Sequence, residues 1–191
     1  MAEKESAFFQ ACRLIDRKLK EQERVAVALE GGAASGKTTL AAQLSAHYGA
    51  PVIAMDDFFL PPALRTPERY SLPGGNIDFE RFNAQVAAPL REGRAFSYPV
   101  YDCHADRMAG EKRVPLCPLV LVEGVYSLHP AYRDIYGLRL FLRTAPETQD
   151  ARLRARGEEM YRRFQALWLP LEKRYFDAED WPRVCDAVLE T

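Results

Sequence analysis

Residues 25–39 read VAVALEGGAASGKTT, and this stretch decides the fold. Residues 25–29 are a short apolar run with charged residues before it and glycines after it, which is typical of a buried parallel strand. The glycine-rich residues 31–36 end the strand. Residues 38–48 then have the pattern of a helix that stops at Gly49. The sequence therefore predicts a strand, a glycine loop and a helix in direct succession.

The glycine loop matches the pattern G-x-x-x-x-G-K-[ST] at every position, in the strand-to-helix context that this pattern needs. Its backbone N–H groups and the start of the helix are predicted to face a phosphate, with Lys37 reaching the β- and γ-phosphates and Thr38 ligating Mg²⁺. The alternative is a turn that only joins strand to helix. ATP or GTP is the predicted ligand, and the residues predicted to bind it are Gly31, Gly32, Ala33, Ala34, Ser35, Gly36, Lys37, Thr38 and Thr39.

Strands and helices alternate along the rest of the chain. Further apolar runs predict strands at 52–55, 119–122, 138–142 and 187–189, and helical patterns lie at 79–90 and from 147 onward. Residues 60–80 are rich in proline and glycine, which predicts no regular structure there. These elements predict an α/β fold, a three-layer P-loop NTPase sandwich with a central parallel sheet. We expect a single domain over 1–191, with an N-terminal helix within 1–22 and an arginine-containing lid and following helix at about 147–170.

Composition narrows the class of function. The 191 residues carry 26 Lys and Arg against 27 Asp and Glu, a formal net charge of −1, which gives no basic excess for nucleic-acid binding. No apolar run is long enough for a membrane span. The four cysteines form no C-x-x-C pair and are expected to be reduced, so we expect a cytoplasmic protein whose partner is a small-molecule substrate.

Acidic residues follow two of the predicted strands. Because carboxyl ends of parallel strands meet beside the phosphate loop, a carboxylate there can accept the proton of an acceptor hydroxyl during phosphoryl transfer. Asp56 is the predicted base. Asp57 competes for that role, and the alternative is that one of the pair caps the next turn. Glu123 is predicted to hold Mg²⁺ together with Thr38, with an exposed strand-end carboxylate as its alternative.

A phosphate loop alone does not name a reaction. The Asn-Lys-x-Asp segment of a GTP switch is missing, and motor ATPases are larger, so the small size favours a kinase for a small molecule. A nucleotide-binding regulator or a slow ATPase without an acceptor pocket is the competing hypothesis.

Residues 24–176 resemble the uridine kinase and phosphoribulokinase group of P-loop kinases, which includes nicotinamide riboside kinase and bacterial pantothenate kinase. The resemblance rests on the phosphate loop and on the segments Met-Asp-Asp-Phe-Phe at 55–59, Asn-Ile-Asp-Phe at 76–79, Pro-Val-Tyr-Asp at 99–102 and Val-Glu-Gly at 122–124. Ala34 stands where the family usually has glycine. The resemblance implies transfer of the ATP γ-phosphoryl group to a hydroxyl, with a nucleoside such as uridine as the first candidate and nicotinamide riboside, pantothenate or a sugar as alternatives.

The same resemblance implies roles for the acceptor side. Asp56 would be the base, and Asp78 and Tyr101 would hold the acceptor. His104 and Arg107 match the family's base-reading residues only loosely. The alternatives are a helix N-cap for Asp78 and a packed core ring for Tyr101.

The resemblance also implies an arginine-rich lid that closes over the nucleotide. Arg156 is predicted to contact the transferring phosphate, with Arg152 next. A spacing of four places these two on one helix face and Arg154 roughly opposite. A solvated basic face is the alternative reading of these arginines.

Overall fold

The structure is a computed structural model that describes residues 5–103 and 105–191. Five parallel strands form its central sheet: β1 (Val25–Glu30), β2 (Val52–Ala54), β5 (Leu119–Glu123), β6 (Leu138–Arg143) and β7 (Ala187–Glu190). Their order is β2-β5-β1-β6-β7, so the first strand of the chain lies at the centre. All five predicted strands are confirmed, and with them the predicted α/β fold.

Two hydrophobic cores lie on the two faces of this sheet. Val27 and Leu29 of β1 face one core, which is closed by α1 (Ala7–Glu21) and α2 (Lys37–Tyr48). Ala28 faces the other core, where aromatic rings such as Tyr175 fill the space above the small side chain. The alternation of large and small residues along β1 therefore separates an aliphatic layer from an aromatic one.

Two helical runs cover the aromatic face, and each contains a π-helical turn. They are α4 (Phe79–Phe82), the turn Asn83–Ala87 and α5 (Ala88–Glu92), then α7 (Glu158–Arg163), the turn Phe164–Trp168 and α8 (Leu169–Asp177). In each run a proline, Pro89 or Pro170, follows the π turn at the second position of the next helix. Proline lacks an N–H and its ring crowds the preceding turn. The proline in each run therefore accounts for the widened π turn before it.

An antiparallel hairpin projects from the sheet, formed by β3 (Phe96–Asp102) and β4 (Arg107–Val114). We assigned no strands to this polar and aromatic segment from the sequence. Asp57, which lies in the segment after β2, holds the hairpin by side-chain hydrogen bonds. The Asp57 carboxylate accepts from the Tyr98 hydroxyl over 3.0 Å and from the Lys112 ammonium over 2.8 Å.

The prediction of no regular structure at 60–80 is wrong. A 3₁₀ turn (Pro62–Leu64) and the short helix α3 (Pro67–Ser71) lie there. Thr66 caps α3 by accepting from the Arg69 N–H over 3.1 Å, and proline at the first helical position is compatible with this start. The remaining helices are α6 (Pro146–Arg154) and α9 (Trp181–Val184). Within the described residues, no helix combines the length and apolarity needed to cross a membrane.

Candidate active site

The phosphate loop lies between the carboxyl end of β1 and the first turn of α2. Lys37 begins α2 and is buried, and its ammonium donates to the carbonyl oxygen of Gly32 over 2.8 Å and to Ser35 Oγ over 3.5 Å. Burial lowers the pKa of Lys37, and four nearby carboxylates oppose that shift. The ammonium is therefore held inside the loop by groups that a phosphate could replace.

Three positions in the loop, Gly31, Ala34 and Gly36, have positive φ. Gly31 has a φ of 146°, and a Cβ there would lie 2.5 Å from the carbonyl oxygen of Leu142, so the position requires glycine. Ala34 has a φ of 58°, in the left-handed region that costs a residue with a Cβ about 1 kcal/mol. The replacement of the usual glycine by Ala34 therefore leaves backbone strain in the loop.

The adjacent carboxylates Asp56 and Asp57 have different surroundings. Asp57 is buried and bonded to the hairpin. Asp56 is accessible to solvent, and within the described residues its carboxylate has no hydrogen bond. Desolvation by the surrounding protein raises the pKa of Asp56, while Lys37 and Arg156 oppose the rise. Asp56 is therefore an exposed carboxylate within electrostatic reach of Lys37 and Arg156, and it can act on a ligand at the surface beside the phosphate loop, which we call the cleft.

Glu123 lies at the end of β5, directly beside the loop. It is paired in register with Leu29 of β1 and Ala54 of β2, which places it level with the residues that start the loop and the Asp56 segment. Its Oε1 accepts from the Thr38 hydroxyl over 3.3 Å, and burial raises its pKa. A carboxylate and a hydroxyl at this separation are oxygen donors of the kind that Mg²⁺ prefers, so the residues fit that ion.

Glu30 is a buried carboxylate that the sequence analysis did not single out. It ends β1 and accepts hydrogen bonds from Gly31 N–H at 2.9 Å, Leu128 N–H at 3.0 Å and the Tyr175 hydroxyl at 2.9 Å. Burial raises its pKa to about 7, and these donors oppose the shift. Glu30 therefore ties the start of the phosphate loop to the segment after β5 and to α8.

Glu172 reaches into the phosphate loop from α8. Its buried carboxylate accepts from the Ala33 N–H over 2.9 Å. Burial raises its pKa, while Ala33, Lys37 and Arg156 oppose the rise. A carboxylate bonded to a loop N–H and near Lys37 occupies the kind of position that a phosphate oxygen takes in such a loop.

The predicted acceptor residues Asp78 and Tyr101 both have protein partners. Asp78 is the N-cap of α4 and accepts from the Arg81 N–H over 3.0 Å, so the helix-cap alternative is confirmed. Tyr101 is buried, its hydroxyl donates to the Asp106 carboxylate, and it accepts from the Arg65 guanidinium over 2.9 Å. Neither side chain is unpartnered, and their binding of an acceptor stays a prediction.

Arg107, another predicted acceptor residue, is exposed at the start of β4, opposite Asp102. His104 lies outside the described residues. A role for Arg107 in reading the acceptor therefore also stays a prediction.

The lid arginines do not share one helix as predicted. Arg152 lies on α6 and donates to the Ala34 carbonyl oxygen over 3.1 Å, whereas α6 ends at Arg154, so Arg156 lies in the turn beyond it. The Arg156 guanidinium lies over the Phe164 ring, 5.3 Å from its centroid. Its charge opposes the rise of the Asp56 pKa described above.

Arg154 lies apart from this group, as predicted. Its guanidinium is paired with Asp150 at 2.7 Å and stacks over the Tyr161 ring.

No protein-family model matches the chain. Among curated proteins, it is 26% identical over 140 residues to uridine-cytidine kinase C of Dictyostelium discoideum. That match covers 71% of this chain and 31% of the relative, so the chain spans about a third of the relative's length.

Two solved structures are similar over nearly the whole chain. A protein from Silicibacter sp. TM1040, described as a proposed fructose transport system kinase, has a TM-score of 0.74 and 27% identity, covering 95% of this chain and 98% of that one. The chain is thus similar in sequence and fold to uridine kinase-like P-loop kinases. A possible uridine kinase from Bacillus stearothermophilus has a TM-score of 0.67 and 20% identity, covering 94% and 99%, and shares the fold.

Two residues beside the phosphate loop were not predicted from the sequence. Glu30 had a visible signal, because a carboxylate at the end of an apolar strand and directly before the loop must be buried with donors. Glu172 had none, since it reaches the loop through a contact 139 residues away in sequence.

Proposed function

We propose that this P-loop kinase transfers the γ-phosphoryl group of ATP to a hydroxyl of a small molecule. The observation that carries the proposal is the difference between the adjacent carboxylates. Asp57 is bonded to the hairpin, whereas Asp56 is left accessible between Lys37 and Arg156. A carboxylate with no protein hydrogen bond can accept the proton of an attacking hydroxyl group, and turnover with an acceptor panel distinguishes an alcohol from water.

Each residue of the cleft has a role in this proposal. The loop N–H groups and Lys37 hold the phosphates, and Thr38 and Glu123 hold Mg²⁺, which when bound neutralises charge on the β- and γ-oxygens. Asp56 accepts the proton of the acceptor's hydroxyl group, and the oxygen of that hydroxyl group bonds to the γ-phosphorus. The bond from that phosphorus to the bridging oxygen breaks, and ADP leaves. In this proposal Arg156 stabilises the charge on the transferring group.

A nucleoside such as uridine is our first candidate for the acceptor, on the motif resemblance and the similarity to a uridine-cytidine kinase. A sugar is the second candidate, because the similar Silicibacter protein is described as a proposed fructose transport system kinase. Both carry the primary hydroxyl that the proposed chemistry needs.

The test is turnover with a panel of uridine, cytidine, nicotinamide riboside, pantothenate and D-fructose. ADP is measured by a coupled assay, and the phosphorylated product by mass spectrometry, with and without Mg²⁺. We expect one class of hydroxyl compound to raise ADP formation and to gain one phosphoryl group. ADP formation that no compound raises would instead support an ATPase.

A further inference from the structure

Glu30 has no role in the proposed chemistry, although it is a fully buried carboxylate directly before the phosphate loop. Its Oε1 accepts from the N–H groups of Gly31 at 2.9 Å and Tyr126 at 3.2 Å. Its Oε2 accepts from the Leu128 N–H at 3.0 Å and the Tyr175 hydroxyl at 2.9 Å. Burial of a charge is costly, so a carboxylate at this point needs an explanation.

One oxygen atom of Glu30 joins the two segments that carry the proposed magnesium ligands. Gly31 begins the loop that leads to Thr38, and Tyr126 comes three residues after Glu123. The N–H groups of both segments donate to the same Oε1, so the two segments are fixed relative to one atom. Glu30 is therefore a second connection between them, behind the 3.3 Å contact of Thr38 with Glu123.

The turn after β5 has a strained backbone that presents two N–H groups to Glu30. The φ of Tyr126 is 77°, a genuine outlier for an aromatic residue. In this conformation the N–H groups of Tyr126 and Leu128 donate to different oxygens of the carboxylate. Strain of this kind persists only where surrounding contacts maintain it, and it collects at functional sites. The hydrogen bonds to Glu30 are contacts that maintain it here.

A carboxylate suits this point better than a neutral side chain. Both of its oxygens accept hydrogen bonds, whereas a glutamine amide has one acceptor and one donor. A glutamine would therefore place an N–H group against a backbone N–H on one of its two sides. The charge has a second effect, because Glu30 has the largest effect among the carboxylates that oppose the lowered pKa of Lys37.

We propose that Glu30 is a positioning residue for phosphoryl transfer, which holds the phosphate loop and Glu123 in the arrangement that lets them share one Mg²⁺ ion. This inference rests on the proposed function, in which Thr38 and Glu123 hold that ion. The groups that bind the phosphates lie together in the loop and at Lys37. Loss of the Glu30 contacts should therefore disturb the metal and the transfer step more than it disturbs nucleotide binding.

The test compares Glu30→Gln with two matched variants. Glu172→Gln also removes a carboxylate charge near Lys37, but it keeps an acceptor for the Ala33 N–H. Tyr175→Phe removes one donor to Glu30 and changes no charge. Together the variants separate the loss of charge from the loss of the contacts that Glu30 makes.

The first readout needs no acceptor. Mn²⁺, as a substitute for Mg²⁺, is titrated into the complex of the protein with ADP, and its binding is measured by electron paramagnetic resonance. We expect Glu30→Gln to weaken Mn²⁺ binding about tenfold, because it removes contacts behind the metal ligands. Tyr175→Phe should weaken it about twofold, since one hydrogen bond to Glu30 is lost. Glu172→Gln should have a clearly smaller effect than Glu30→Gln.

The second readout is steady-state transfer to the best acceptor of the panel. We expect Glu30→Gln to lower kcat about tenfold and to change the ATP KM less than about threefold, because the loop and Lys37 remain. Tyr175→Phe should lower kcat in the same direction by a smaller factor.

Several outcomes would overturn this inference. Unchanged Mn²⁺ binding in folded Glu30→Gln, with only a loss of thermal stability, would show a structural role. An equal loss of Mn²⁺ binding in Glu172→Gln would assign the effect to charge. If Glu30→Gln does not fold, unchanged Mn²⁺ binding in Tyr175→Phe overturns the inference and weaker binding supports it. Absence of turnover with the whole panel would instead overturn the proposed function, and the Mn²⁺ titration would still give its own answer for Glu30.

Discussion

The phosphate side and the acceptor side of the cleft are built in opposite ways. On the phosphate side, the polar groups are held by the protein itself: Lys37 by the carbonyl of Gly32, and the Ala33 N–H by Glu172. On the proposed acceptor side, the carboxylate of Asp56 is exposed and has no hydrogen bond within the described residues. A nucleotide must therefore replace existing contacts, whereas an acceptor would meet a carboxylate that has none.

The difference follows from burial. An ammonium or a row of N–H groups left bare inside a protein is costly, so internal carboxylates and carbonyls compensate for it. An exposed carboxylate such as Asp56 needs no protein partner, because water solvates its charge. A phosphate site inside the protein therefore needs substitutes of its own, whereas an exposed carboxylate does not.

The largest expected effect comes from Asp56→Asn, which removes the proposed base at the junction of the two sides. We expect kcat for phosphoryl transfer to fall about 10³-fold, because the acceptor hydroxyl loses its proton acceptor. Nucleotide affinity, measured by calorimetry, should change less than about twofold, since the phosphate contacts remain. Unchanged transfer would assign the base to another residue.

Asp57→Asn should affect stability rather than chemistry. It removes the charge that pairs with Lys112 and leaves one oxygen for the Tyr98 hydroxyl, so we expect the free energy of unfolding to fall by about 1–2 kcal/mol. Denaturant titration measures this, and transfer by the folded variant should persist. Lys112→Met should cost less, because the Lys112 side chain is 45% exposed. A loss of transfer as large as that of Asp56→Asn would contradict our division of roles.

Glu172→Gln tests whether the phosphate side is occupied by an internal anion. The glutamine side chain can still accept from the Ala33 N–H but carries no charge, so we expect ATP to bind about three- to tenfold more tightly, with a smaller gain for AMP. Glu159→Gln, the same change at an exposed residue of α7, should have little effect.

The effect of Glu172→Gln should depend on pH. Because burial raises the Glu172 pKa, the difference in ATP affinity between wild type and variant should be full at a pH above that pKa and shrink as the pH falls through it. Weaker ATP binding by the variant would show that Glu172 serves only to anchor α8.

The smallest effect is expected for Ala34→Gly. Glycine adopts the φ of 58° without a Cβ penalty, so we expect the free energy of unfolding to rise by about 0.5–1 kcal/mol, measured by denaturant titration. The contact between Arg152 and the carbonyl of residue 34 should persist, because it uses the backbone. A fall in stability would mean that the Ala34 methyl group makes packing contacts that outweigh the strain.

The two sides also differ in how far the sequence predicts them. The strand, loop and helix at 25–48 are contiguous, so residue order alone specifies the phosphate loop. Asp56 and Asp57 are adjacent and identical in type, and only contacts 41 and 55 residues away distinguish them. Glu172 contacts the loop across 139 residues. Local pattern carries no information on such contacts, so the sequence predicts the phosphate loop itself but not the side chains that reach it or distinguish the two aspartates from elsewhere in the chain.

The π turn at Phe164–Trp168 divides the helical run before the phosphate loop into positions that tolerate a deletion and positions that do not. A π turn holds one more residue than the corresponding α-helical turn, so loss of a single codon within it would leave an ordinary turn and keep α8 in phase. Loss of a codon between Leu169 and Leu171 would instead rotate the Glu172 side chain by about 100° and carry it away from the phosphate loop.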